Sequence, residues 1–235
     1  MKALLTRARP DAEASARKLA ARGVEAVLAP VLEIVCQRLA GAPQVDFALA
    51  TSRHAFPCLD AMDPARRAAL AARPLYVVGD ATAAAARAAG FTDVRIARGD
   101  AVSMLDLLVL TGARGRALYL AGADRSPTLE AGLERMGVET RVEVAYVARA
   151  RDWSGAERRA AGAAADDGAS VLHYSGRSAE LFLRQLDAAG LGGRLDAFRH
   201  VAMSRQAAAP IQNQGSRVIW PDRPAEDALF ALLSF

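Results

Sequence analysis

Leu75-Tyr76-Val77-Val78-Gly79-Asp80-Ala81-Thr82-Ala83-Ala84-Ala85-Ala86-Arg87-Ala88-Ala89-Gly90 is the stretch from which the fold is read. Four apolar, β-favouring residues precede a glycine, two small polar residues follow, and an alanine-rich run ends at a second glycine. The pattern is strand, tight turn, helix, with Gly90 where a helix C-terminus prefers glycine. A helix starting at Gly79 turns several unpaired backbone N–H groups toward the sheet edge, where carboxylates and phosphates bind. The plainer alternative is that Gly79 is only a turn, and Asp80 or Thr82 only a cap.

The same unit recurs on either side. Ala3–Thr6 reads as a strand, Pro10 and Asp11 start a helix closed by Gly23, and Val24–Leu28 and Val31–Val35 read as further strands. A β-α-β unit of this kind belongs to a parallel sheet. Gly41-Ala42-Pro43 reads as a loop and Asp46–Ala50 as a strand, with Thr51-Ser52-Arg53-His54 a polar turn opening another helix. Pro64–Ala72 is a short exposed helix, and Val94–Ala97 with a helix around Val102–Leu110 completes the first pass.

From residue 117 the order repeats. Ala117–Leu120, the polar turn Gly122–Ser126, a helix to Met136 and Val142–Val147 restate residues 3–35, with Gly23 and Gly137 standing 114 positions apart. Ser170–Ser175 restates Phe47–Ser52 at an offset near 123, and Val201–Gly215 restates the opening stretch at about 125. Ile219-Trp220 and a helix over Ala225–Leu233 close the second copy. A repeat this long signals duplicated domains rather than a solenoid. Alternating βα units give the fold class α/β, as two doubly wound parallel sheets. Ligands of such sheets lie beyond the carboxyl ends of the strands, where the polar turns fall, so an interdomain cleft lined by helix N-termini is expected.

Bulk properties narrow the chemistry. The chain has 235 residues, 52% hydrophobic, and a net charge of +4 carried mostly by arginine. Scattered arginines suit a small anionic molecule better than nucleic acid. Neither GxGxxG nor GxxxxGK[ST] is present, so a nucleotide fingerprint is missing. Cys36 and Cys58 form no CxxC pair, and each reads as an ordinary buried thiol rather than part of a disulfide or zinc site. The start is broken by Arg7 and Arg9, and no apolar run approaches a membrane span. A soluble, cytoplasmic protein acting as a monomer, with no nucleic-acid or membrane partner, is expected.

The ordered turns resemble the uroporphyrinogen-III synthase family. The resemblance rests on Leu4-Leu5-Thr6-Arg7 with Gly23 and Pro30, Thr51-Ser52-Arg53, Val78-Gly79-Asp80-Ala81-Thr82-Ala83, Gly122 with Arg125 and Leu129, and Tyr146. It departs from the family at Ser204-Arg205-Gln206-Ala207, where a glycine followed by threonines is usual. The resemblance implies two α/β domains joined by a two-stranded connector, here 1–36 with 149–235 and 37–148. It implies a cofactor-independent carbon–oxygen lyase, a cyclising hydro-lyase of haem biosynthesis. Its substrate, the linear tetrapyrrole hydroxymethylbilane with eight carboxylates, is closed to uroporphyrinogen III with loss of water and inversion of the last pyrrole ring. No metal or redox cofactor is implied, and the protein's part is shape and exclusion of water. A non-catalytic two-domain binder of an anionic metabolite is the alternative.

Carried over by position, Tyr146 is the group that hydrogen-bonds the departing hydroxyl, since a phenol near pKa 10 donates without ionising. Thr82, facing it, binds substrate through hydroxyl and backbone. Arg7, Ser52, Arg53, Gly79, Asp80, Ala81, Gly122, Arg125, Ser175 and Ser204 complete the substrate-binding set. His173, within a strand, reads as core. His54 is a further candidate for a carboxylate contact.

Overall fold

The computed structural model describes residues 1–40 and 44–233, so the loop expected at Gly41–Pro43 lies outside the described residues. In chain order it runs β1 (Lys2–Leu5), α1 (Arg9–Ala20), β2 (Glu25–Leu28), β3 (Leu32–Cys36), β4 (Phe47–Ala50), α2 (Pro64–Ala71), β5 (Leu75–Val78) and α3 (Asp80–Ala88). There follow β6 (Val94–Ala97), α4 (Ala101–Leu110), β7 (Arg116–Gly122), α5 (Thr128–Arg135) and β8 (Glu139–Ala150). The last third holds α6 (Gly155–Asp166), β9 (Ser170–His173), α7 (Gly176–Ala188), β10 (Arg199–Ala202), α8 (Arg205–Gln212), β11 (Val218–Ile219) and α9 (Glu226–Ala231). The chain divides into two compact units, Met1–Glu33 with Arg149–Phe235, and Ile34–Ala148.

Each unit has one sheet, and the two sheets share a strand order. The first is β2-β1-β9-β10-β11 and the second β8-β7-β4-β5-β6, with β3 added outside β8. The register repeats as well. Leu4 lies opposite Val171 in the first sheet, and Leu118 opposite Ala48 in the second. His200 meets Val171, and Leu75 meets Ala48. All these ladders are parallel, so both faces of each sheet need covering. In the first unit Trp153, Phe182 and Ile211 cover one face, and Leu19, Leu229 and Phe230 the other. In the second, Phe56, Leu59, Leu70 and the alanines of α3 face Met104, Leu108 and Leu133 across the sheet. Each large buried side chain contributes about 1.5–3 kcal/mol of transfer free energy. Alanine on the inner face of α3 (Ala83, Ala86) and of α6 (Ala161, Ala164, Ala165) lets the helices lie close to the strands.

Three local expectations need correction. Thr51–His54 opens no α-helix. It leads into two 3-10 turns, Arg53–Ala55 and Pro57–Ala61, because Pro57 has no N–H to donate into a longer ladder. The strand expected at Val142–Val147 runs for 12 residues. The cysteines are not free thiols: Cys36 and Cys58 form a disulfide, their Cα atoms 5.1 Å apart. The fold lays the second 3-10 turn against the end of β3, a proximity that a spacing of 22 residues does not announce. Closing a loop of that length restricts the unfolded chain by about 3 kcal/mol.

After β8 the chain is pinned into the first unit. The Trp153 indole donates to Ala29 O at 3.0 Å, and its backbone N–H donates to Gln185 Oε1 at 2.8 Å. Ser154 and Glu157 form a capping box at the start of α6. Burial opposes ionisation of Glu157, but hydrogen bonds from Arg151 and Ser154, with the Arg151 charge, bring its carboxyl down to about 2.

Candidate functional site

The carboxyl edge of the second sheet gathers a polar and aromatic cluster. Opposite β7, the β8 ladder pairs Ala121 with Val144 and Gly122 with Tyr146, which leaves Ala145 as an extra, bulged residue. Uninterrupted strands alternate sides, yet Ala145 and Tyr146 both pack on the same apolar cluster. The bulge therefore re-aims Tyr146. Gly122 makes room for it, because a methyl group at 122 would stand 2.7 Å from both Cζ and the hydroxyl of Tyr146. The phenol lies across the bare backbone of Gly122.

Two more rings border this place. His54, in the first 3-10 turn, meets the Tyr146 ring edge-on, with centroids 5.5 Å apart at 63°. The Tyr119 hydroxyl on β7 is 3.0 Å from Thr51 Oγ1 at the end of β4. Burial is the main influence raising the Tyr119 phenol. The Thr51 hydrogen bond and the Arg125 charge oppose it, and the nearby Tyr146 adds to it. Tyr119 was missed because a tyrosine in an apolar strand run reads as core. Its ring is core, and only its hydroxyl reaches the edge.

The sequence-chosen residues fall into two groups. Gly79 (φ +77°, ψ 158°) starts α3 in a conformation that L side chains rarely adopt, and the helix has no side-chain cap. The alternative of Asp80 or Thr82 as cap is thereby set aside. Asp80 and Ala81 are exposed, whereas Thr82 is only 6% exposed on the inner face beside Ala83. The ring against Tyr146 is that of His54, a contact the expected Thr82 pairing did not foresee.

The remaining choices are engaged by the protein itself. Arg7 Nη1 donates to Glu226 at 3.0 Å, Nη2 lies 3.2 Å from Asp11, and the guanidinium stacks 4.1 Å from the Tyr174 ring centre. Both carboxylates belong to its own unit. Glu226 also takes Ser15 and Lys18. Burial opposes its ionisation, and those hydrogen bonds with the cationic charges hold its carboxyl below the ordinary range. Tyr174, buried in the same network, is pushed up to about 12 by desolvation, against the Ser15 hydrogen bond. Arg125 is bound to Glu130 at 2.7 Å and to the carbonyls of Gly122 and Ala123, which fixes the turn after β7. Ser52 caps the first 3-10 turn through His54 N–H, and Arg53 begins that turn. Ser175 and Ser204 cap α7 and α8 through Ser178 N–H and Ala207 N–H.

Those two caps are brought together. Ser175 and Ser204 line a pocket of about 890 Å³ in the first unit, where α7 and α8 start side by side. Gly176 permits the close approach, a Cβ there meeting Gln206 O at 3.2 Å. Arg177 and Gln206 border the same pocket. Both helices direct first-turn amides to this end, an arrangement that favours an anion. On neighbouring strands of the same sheet, buried His173 and His200 stack, with His173 Nε2 3.0 Å from His200 Nδ1, and His200 Nε2 donates to Leu195 O. Among the described residues no group of three or more His, Cys, Asp or Glu is placed to hold a metal ion, and no helix is long and apolar enough to cross a membrane.

The profile of uroporphyrinogen-III synthase HemD matches residues 13–231, nearly the whole of both units. The chain belongs to the uroporphyrinogen-III synthase family. Solved structures agree on the fold. That of uroporphyrinogen-III synthetase from Helicobacter pylori is 16% identical, with a TM-score of 0.67 over 99% of this chain and 98% of that one. A mutant uroporphyrinogen III synthase from the extremely thermophilic bacterium Thermus thermophilus is 18% identical, with a TM-score of 0.51 over 99% and 96%. No curated protein matches by sequence. The α/β fold with two parallel sheets and the cofactor-independent, cyclising lyase activity are those of this family.

Proposed function

We propose that this chain closes hydroxymethylbilane to uroporphyrinogen III through the cluster at the carboxyl edge of its second sheet. The observation that carries the reading is Tyr146, turned by a bulge and laid over Gly122 between polar neighbours. Its phenol donates a hydrogen bond to the terminal hydroxyl as that group leaves, and pyrrole nitrogen electrons assist the departure. The uncapped first turn of α3 (Gly79, Asp80, Ala81, Thr82) offers backbone N–H groups to substrate carboxylates. In the first unit, Ser175 and Ser204 with the amides around them line a pocket whose chemistry suits a carboxylate. Arg7 and Arg125 shape the two edges rather than bind substrate, since each already has a carboxylate partner. We further place the protein in the cytoplasm, acting as a monomer.

The test is product isomer analysis. Pure protein without added cofactor converts hydroxymethylbilane to the type-III isomer, and Tyr146→Phe slows that conversion by about 10-fold or more. Only the spontaneous type-I isomer from the wild-type protein would overturn the assignment. A full-rate Tyr146→Phe would overturn the role of the phenol.

A further inference from the structure

The Cys36–Cys58 disulfide ties β3 to the 3-10 segment that carries His54, the ring against Tyr146. Cys36 ends β3, and the next residue, Gln37, donates its backbone N–H to Ala145 O at 2.8 Å, beside Tyr146 on β8. Cys58 sits in the second 3-10 turn, four residues after His54. The 3-10 segment is packed into the core through Ala55, Phe56 and Leu59, and it carries two further ties, the covalent bond to Cys36 and the His54 ring against Tyr146. Its own ladder is weak, because 3-10 turns have poorer hydrogen-bond geometry than α-helices and Pro57 removes a donor.

The geometry points to a redox tether: we propose that the Cys36–Cys58 disulfide holds His54 against Tyr146, making His54 a positioning residue whose grip on the phenol is released by reduction. The inference rests on the role given to Tyr146 above.

The chemistry is ordinary thiol–disulfide exchange. Cys36 is exposed and Cys58 is 1% exposed, so an incoming dithiol attacks the Cys36 sulfur. The S–S bond breaks and Cys58 leaves as a thiolate that takes up a proton. The second thiol of the reductant then displaces Cys36, which is protonated in turn, and the reductant becomes a disulfide. Two electrons and two protons move in all. A partner for the released group is already in place, since Cys58 Sγ lies 3.3 Å from His54 O and donates there as a thiol. In the reduced state the sulfur bonds within its own turn instead of to β3. In a reducing compartment, disulfides are commonly transient and regulatory rather than structural.

The experiment uses full-length protein with ring-labelled tyrosine, air-oxidised or treated with a dithiol, the redox state confirmed by alkylation and mass. Its four tyrosines give four ring signals, and Tyr146→Phe assigns one. Reduction is expected to move the Tyr146 signal and lower kcat by about fivefold or more, with KM little changed. Cys36→Ser, at the exposed end of the tether, should reproduce the reduced state without reductant. His54→Ala should resemble the reduced wild type in both redox states. His54→Phe, which keeps an edge-on ring, should restore the difference. An unmoved Tyr146 signal, a redox response that persists in His54→Ala, or alkylation of both cysteines in air-oxidised protein would overturn the tether. The ring signal decides the tether, and turnover of Tyr146→Phe decides the phenol's role, so the two can fail separately.

Discussion

Gly122→Ala separates the site's geometry from the fold's stability. Gly122 lies outside the positive-φ positions of the chain, so alanine is conformationally acceptable there. The added methyl would stand 2.7 Å from Tyr146 Cζ and hydroxyl, and an ordinary contact begins at 3.4 Å, so the ring end must move by about 0.7 Å. A rigid ring moves as a unit by rotation about its χ angles. That costs the fold little, about 1 kcal/mol at this partly exposed edge. Catalysis is more sensitive, because a misplacement near 1 Å costs up to about 100-fold. The expected result is kcat lower by about 10- to 100-fold, or about 1.4–2.7 kcal/mol of barrier, with a nearly unchanged unfolding midpoint. The assay is initial-rate formation of the type-III isomer, alongside thermal unfolding. If Gly122 acts by placing the hydroxyl, Gly122→Ala with Tyr146→Phe should be no slower than Tyr146→Phe alone. A full-rate Gly122→Ala, or a double variant whose losses add, would refute the reasoning.

Two further outcomes follow from buried charge. Burial, with the neighbouring His200 disfavouring a second proton, holds His173 well below its usual 6.5, and burial likewise lowers His200, opposed by the Leu195 hydrogen bond and Asp196. A histidine neutral in the fold but protonated when unfolded stabilises fully above the unfolded value. That stability is lost as pH falls below it, at about 1.4 kcal/mol per pH unit for each such group. Chemical denaturation at pH 7.5 and 5.5 should show the lower stability at 5.5, and equal stabilities would count against a neutral pair. Arg7→Ala should lower unfolding free energy by about 1–3 kcal/mol, since it strips Glu226 and Asp11 of a shared partner, yet leave KM within about twofold. A raised KM with an unchanged unfolding midpoint would return Arg7 to the substrate.

The repeat could be read from the sequence because a βα unit leaves local marks that do not depend on its neighbours. Strand runs, starting polar residues and closing glycines such as Gly23 and Gly137 are all set by short-range backbone demands. Gly79 shows this best: a positive φ between strand and helix is met by glycine whatever surrounds it. The carboxyl-edge turns were legible for the same reason. Which partners their side chains find within the folded chain was not. Arg7 finds Glu226 across more than two hundred residues of chain, and Arg125 finds Glu130 within its own turn. From sequence the two arginines look alike, and both look like anion receptors.

What the sequence by itself determined, then, is the α/β unit, its duplication and the polar turns at the carboxyl end of each sheet. Only the tertiary structure decided the pairing of Cys36 with Cys58, the bulge at Ala145 and the packing of His54, Gly122 and Tyr119 around Tyr146. The physical reason is range. Periodicity and turn chemistry record forces between residues a few positions apart, whereas a disulfide, a cross-strand ring or a shifted register records which distant segments the folded chain brings within a few ångströms of each other.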